Sequence, residues 1–164
     1  MLLVADTGPL IALASIGQLT LLHQLYGTVL VPTTVHREVL AGGSRVLGLT
    51  AYRQADWLEV VEVGAIDPAL LALLDEGEAS VIALARQRQA DVLLIDEQKA
   101  RKIARTLYGL KVIGSVRVLL EAKRLGLLPS AKAAITTMRD QGYYLHDTIV
   151  EYALREAGET NEES

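Results

Sequence analysis

Residues 3–10 read LVADTGPL, an apolar run that ends on an aspartate and turns at once through Gly8-Pro9. A run of this kind fits a strand of a parallel sheet, buried on both faces, and the LIALASIG that follows has helical composition. The same design returns at 91–105, DVLLIDEQKARKIAR, where four apolar residues precede Asp96 and a helix follows. Two strand–carboxylate–helix units in one chain make Asp6 and Asp96 the features to explain.

Working outward, QLTLLHQLYG predicts a short helix stopped by Gly27, and TVLVP at 28–32 a second strand closed by Pro32. TTVHREVLAGG predicts a helix over Val35–Ala41 with a threonine cap and a Gly-Gly stop. WLEVVEV suits an edge strand or an extended loop. From Asp67, with Pro68 at the first helical position, a helix runs to a break at Gly77 and resumes to about Gln89. KVIG is one more short strand, and the remainder divides into three helices at Gly126–Pro129 and Gly142.

Strands alternating with helices imply a parallel α/β sheet with right-handed crossovers, enclosed by helical layers. In such sheets the ligand site lies at the carboxyl ends of the strands, where Asp6 and Asp96 sit. The 164 residues, 51% hydrophobic, fit one domain over 1–158, with an acidic, disordered tail over 159–164. With no cysteine, any metal must be held by oxygen or histidine nitrogen. The amino terminus lacks a basic leader and Asp6 interrupts its apolar run, so the expectation is a soluble, cytoplasmic protein without a membrane segment.

The net charge of -4 argues against a polyanionic partner, yet residues 86–124 hold ten Lys or Arg against four Asp or Glu. Lys99, Arg101, Lys102 and Arg105 share the helix after Asp96 and form a candidate phosphate-positioning strip; a solvated helix face is the competing reading. Asp6 and Asp96 could each merely cap a helix. Glu38 falls beside the buried face of its helix, and Glu78 opens the helix after Gly77, with Asp75 and Glu76 close by; composition does not choose among these three. Carboxylates gathered without bases need a cation, and hard oxygen donors suit Mg²⁺ or Mn²⁺. His36 and His146 are isolated, and the serines have no histidine and acid arranged around them, which argues against a zinc site or a covalent nucleophile.

The stretches VADTGPLIALASIGQLTLLHQLYG, VLVPTTVHREVLAG, LDEGEASVIALA, VLLIDEQKARKIA, LKVIG and GYYLHDTIVEYALREAGE, in that order, resemble the PIN domain family, and its VapC-like subgroup of small prokaryotic proteins in particular. The resemblance implies a three-layer α/β/α sandwich with a central parallel sheet. It further implies an acidic pocket binding Mg²⁺ or Mn²⁺, formed by Asp6, Glu38, Glu78 and Asp96, with Glu97 as an additional ligand or water contact and Thr7 as a nucleic-acid-binding hydroxyl. The expected activity is metal-dependent RNA hydrolysis by the toxin of a toxin–antitoxin pair, acting as a homodimer with a cognate antitoxin. The alternative is an inactive PIN-like module that binds nucleic acid or protein. Two departures stand out: Gly8 occupies a place where the family commonly has serine, and the third acid is glutamate where aspartate is usual.

Overall fold

The computed structural model describes residues 1–42 and 48–159. Five strands form one all-parallel sheet: β1 (Leu2–Ala5), β2 (Thr28–Pro32), β3 (Leu58–Val61), β4 (Val92–Leu94) and β5 (Val112–Ile113), in the order β3-β2-β1-β4-β5. In register, Val4 pairs with Leu30 on one side and Leu93 on the other. Leu3, Val4, Ala5, Val92, Leu93 and Leu94 are all buried, as expected for strands covered on both faces. WLEVVEV contributes β3, the edge strand, whose alternating acids suit a partly solvated position.

Among the described residues, ten helices surround the sheet: α1 (Thr7–Ser15), α2 (Leu21–Tyr26), α3 (Thr33–Ala41), α4 (Leu49–Gln54), α5 (Pro68–Leu73), α6 (Glu76–Arg88), α7 (Gln98–Tyr108), α8 (Ser115–Arg124), α9 (Ala131–Asp140) and α10 (Asp147–Glu156). Together with the sheet they make the expected three-layer α/β/α sandwich. Helix α6 lies against β1, β2 and β4 and packs on α3 and α5, while α8 gathers α2, α9 and α10. Residues Ala79–Ala85 of α6 are buried without interruption, so this helix belongs to the core all round rather than showing an amphipathic stripe. Ser80 is tolerated there because its hydroxyl donates to the Gly77 carbonyl at 2.6 Å.

Three local expectations are corrected. Gly77 does not break a helix: the chain breaks at Leu74–Asp75, Asp75 caps α6, and Gly77 sits inside its first turn. The capping box between Asp75 and Glu78 satisfies the helix start, so no glycine stop is required. Helix α3 begins at Thr33 with Pro32 as the residue before it, and no threonine side chain caps it. Gly8 and Pro9 form the first turn of α1 rather than a turn preceding it, where proline's missing N–H would have had no helical partner anyway. Helix α4 had no counterpart in the sequence reading. The second glycine of the expected Gly-Gly stop, Gly43, lies outside the described residues.

At the carboxyl end, Glu159 is held in place. Its carboxylate accepts from Ser130 Oγ and from the Ala131 and Lys132 amides, and pairs with Lys123 Nζ at 3.2 Å. Burial alone would raise its pKa, but these hydrogen bonds hold it below the usual carboxylate value. Residues 160–164, the rest of the acidic tail, lie outside the described residues.

Leu93 is fully buried in β4, an interior strand of the sheet. Leu93→Ala should destabilise the fold by about 2–5 kcal/mol through lost transfer energy and the cavity left behind. Denaturant unfolding should show a lower midpoint with an unchanged slope.

Candidate acidic site at the strand ends

The strand order turns back on itself between β1 and β4: the chain runs outward through β2 and β3 from one and through β5 from the other. This is the topological switch point, where the loops diverge and leave a crevice beyond the carboxyl ends. Asp6 leaves β1 there, its amide donating to Leu94 O at 3.0 Å, and Asp96 follows β4 two residues later. The two aspartates are therefore neighbours by topology.

Asp6 is the N-cap of α1, one carboxylate oxygen accepting the Thr7 amide at 2.8 Å, and it is only 8% exposed. The capping reading and the site reading hold together. Burial pushes its pKa up to about 7; the Thr7 amide opposes this, while the charges of Asp75, Glu38 and Asp96 add to it. Glu38 reaches over from α3, where its Oε2 accepts the Thr7 hydroxyl at 2.7 Å. It can do so because of Gly77: a Cβ at that position would stand 2.4 Å from Glu38 Oε1. The glycine that sequence reasoning took for a helix breaker is the notch that admits an acid.

The acids at the start of α6 divide. Asp75 weighs most on Asp6 among its charged neighbours, whereas Glu78 turns back to its own helix cap and lies beside Glu97. Burial, followed by contacts with Asp75 and Glu97, pushes Glu78 up to about 8. Glu97 goes the other way: burial would raise it, but the Ala100 and Lys99 amides it caps hold it low. Asp75 thus joins the site on an equal footing with Glu78, a choice that composition left open.

Asp96 Oδ1 accepts the Ser115 amide at 2.7 Å and Oδ2 accepts the Tyr143 hydroxyl. Burial first, then the charge of Asp96, drives the Tyr143 hydroxyl far above the ordinary phenol value. Sequence reasoning missed Tyr143, although GYYLHD was among the stretches carrying the resemblance. Its partner is 47 residues away, and no local pattern signals such a contact.

The basic strip on α7 also divides. Arg101 and Arg105 line a cleft of about 1300 Å³ that opens from Asp96 and Glu97, and both donate to backbone carbonyls, Ile95 and Val112 respectively. Lys99 and Lys102 are exposed and lie outside that lining. Lys111 just before β5, Arg117 and Arg124 of α8 and Arg155 of α10 also line the cleft, with Tyr144, 80% exposed, from the α9–α10 loop and Tyr152, 52% exposed, from α10. The +6 excess over 86–124 accounts for three of those four additional cations; Arg155 and Tyr152 come from α10 and Tyr144 from the loop before it.

Asp6, Glu38, Glu78 and Asp96 take part in none of the ion pairs among the described residues. In kind, this all-oxygen donor set fits a hard divalent cation. In arrangement, no three His, Asp or Glu groups among the described residues stand near enough to hold one ion together. Glu38 and Asp96 are instead occupied by protein donors.

An α/β protein with an acidic strand-end site is the class that fold and site define. A family model described as a PIN domain matches residues 2–159, and the chain belongs to the PIN domain family. No curated protein and no solved structure matches it. PIN domains are nuclease-type, nucleic-acid-binding domains that generally depend on divalent metal. No helix among the described residues is long and apolar enough to cross a membrane.

Because folding raises the pKa values of Asp6 and Glu78, their favourable contribution is complete below the unfolded values near 4 and is lost as pH rises through about 7 and 8. With divalent cations chelated, the melting temperature should fall across that window. Asp6→Asn should flatten the fall when followed by circular dichroism.

Proposed function

We propose that the chain is a Mg²⁺- or Mn²⁺-dependent ribonuclease of the VapC-like subgroup, the toxin of a toxin–antitoxin pair. The observation that supports this reading is the nearly buried Asp6 carboxylate, which feels the charges of Asp75, Glu38 and Asp96, at the strand ends beside a cleft rich in arginine. Such a site favours a cation at one end and a phosphate backbone at the other. Asp6, Glu38 and Asp96 would hold the cation, with Asp75 or Glu78 as the further acid. A bound divalent cation supplies activation of water and neutralisation of charge on the phosphodiester.

The protein's own residues do the rest. Arg101 is half-buried and anchored on Ile95 O, so its guanidinium is fixed near Asp96 and can orient a phosphate with little loss of side-chain freedom. Arg105 extends this direction along the cleft, and Arg117, Arg124 and Arg155 line it from the facing helices. Tyr144 and Tyr152 offer rings on which unpaired bases can stack. Thr7 ties Glu38 to the start of α1, and Lys99 and Lys102 add charge near the cleft without lining it. We place the active form as a homodimer, which the exposed Leu71 and Leu73 of α5 support, held in check by an antitoxin in the cytoplasm.

A second reading is favoured by one observation: no three acids among the described residues are poised around a single point. On that reading the domain binds RNA through the cleft and does not cut it.

Cleavage of a labelled single-stranded RNA in Mn²⁺ separates the two. Asp6→Asn and Asp96→Asn should each lower the rate by about 100-fold or more, the scale on which removed charge-stabilising groups act. Arg101→Ala should weaken RNA binding with a reduced salt slope. The wild-type rate should climb between pH 6 and 8 as Asp6 and Glu78 lose their protons to cation binding. RNA binding with no Mn²⁺-dependent cleavage would establish the second reading.

A further inference from the structure

Asp96 is held from two sides, by the Ser115 amide on Oδ1 and by the Tyr143 hydroxyl on Oδ2. Tyr143 comes from the loop between α9 and α10 and has to pass the start of α1 to arrive there. A Cβ added at Gly8 would stand 3.1 Å from the Tyr143 hydroxyl oxygen, tighter than ordinary contact. Gly8 is therefore the opening through which the phenol enters the acidic crevice.

The loop that carries the phenol is itself anchored. The Tyr143 amide donates to Met138 O at 3.2 Å, and Arg139 donates to Leu145 O at 2.7 Å while pairing with Asp147 at 2.9 Å. Leu145 is buried beyond it. An ionised carboxylate offers about four lone-pair directions on its two oxygens. One donor on each oxygen fixes the plane of the Asp96 carboxylate and still leaves acceptor capacity for a cation.

We propose that Tyr143 is a positioning residue of the acidic site, its hydroxyl orienting the Asp96 carboxylate toward a divalent cation through the gap left by Gly8. The inference rests on the nuclease reading above and adds the α9–α10 loop to that site. Partners that orient metal ligands in this way are worth roughly 10- to 100-fold in metal affinity.

Calorimetric titration of the full chain with MnCl₂ tests it independently of catalysis. Tyr143→Phe should weaken Mn²⁺ binding roughly 10-fold or more. Gly8→Ser alone should also weaken it, by crowding the phenol. Combined with Tyr143→Phe, however, the same substitution should recover affinity, because the introduced hydroxyl can point into the space the phenol oxygen leaves beside Asp96. A tyrosine that only fills space would give additive losses, and additive losses overturn the proposal, as does unchanged affinity in Tyr143→Phe. Should Tyr143→Phe fail to fold, Gly8→Ser decides: weakened binding supports the proposal and unchanged binding overturns it. Wild-type protein that takes up no Mn²⁺ overturns the nuclease reading along with this inference. That outcome is distinct from wild type and Tyr143→Phe binding equally well, which overturns the inference alone.

Discussion

The burial of one carboxylate beside other carboxylates at the β1–β4 switch point is the constraint around which the rest of the molecule is arranged. Asp6 is almost out of water, with three further acids near it and, among the described residues, no base in an ion pair with it. Burial, with the charges of those acids adding to it, costs Asp6 its ionised form up to about pH 7. The fold accepts that cost because the sheet around it is buried on both faces and α6 is apolar throughout its middle. Stability is supplied by the core, which leaves the strand ends free to carry charge.

Three glycines show how the backbone accommodates the acids. Gly77 admits Glu38, Gly8 admits the Tyr143 phenol, and at Gly114 a Cβ would stand 2.7 Å from Asp96 Oδ1 and 2.8 Å from an Arg101 nitrogen. In each case a polar side chain from a distant element occupies space that any other residue would fill. The glycines of this chain that matter to the site act by the absence of a side chain; none of the three has a left-handed backbone.

The parallel sheet was legible because VADTG and LLIDE each announce a buried strand followed by a helix, and the alternation of such units admits few topologies. Asp6 and Asp96 were legible for the same reason, since strand ends are defined by the chain itself. The position of Gly77 misled because a glycine inside a helix and a glycine ending one look alike until the cap at Asp75 is known. The division between Asp75 and Glu78 was not legible at all, because three acids within four residues differ only in which way the first turn of α6 faces. Nor was the division of the α7 strip, where Arg101 and Arg105 turn to the cleft and their lysine neighbours do not. Both depend on rotation about a helix axis, which tertiary packing sets.

The C-terminal helices were read only as three helices with no site residue among them, yet the segment that holds them completes both ends of the site. Tyr143 meets Asp96, Tyr144 turns into the cleft, and Tyr152 and Arg155 follow along α10. Adjacent residues in the loop thus serve the acidic end and the basic cleft respectively. Glu159 then fastens the end of this hairpin by capping α9 and pairing with Lys123 of α8. A carboxylate just past α10 thereby ties that end of the chain to the start of α9, so the two helices flanking the loop that bears Tyr143 are joined at their far ends.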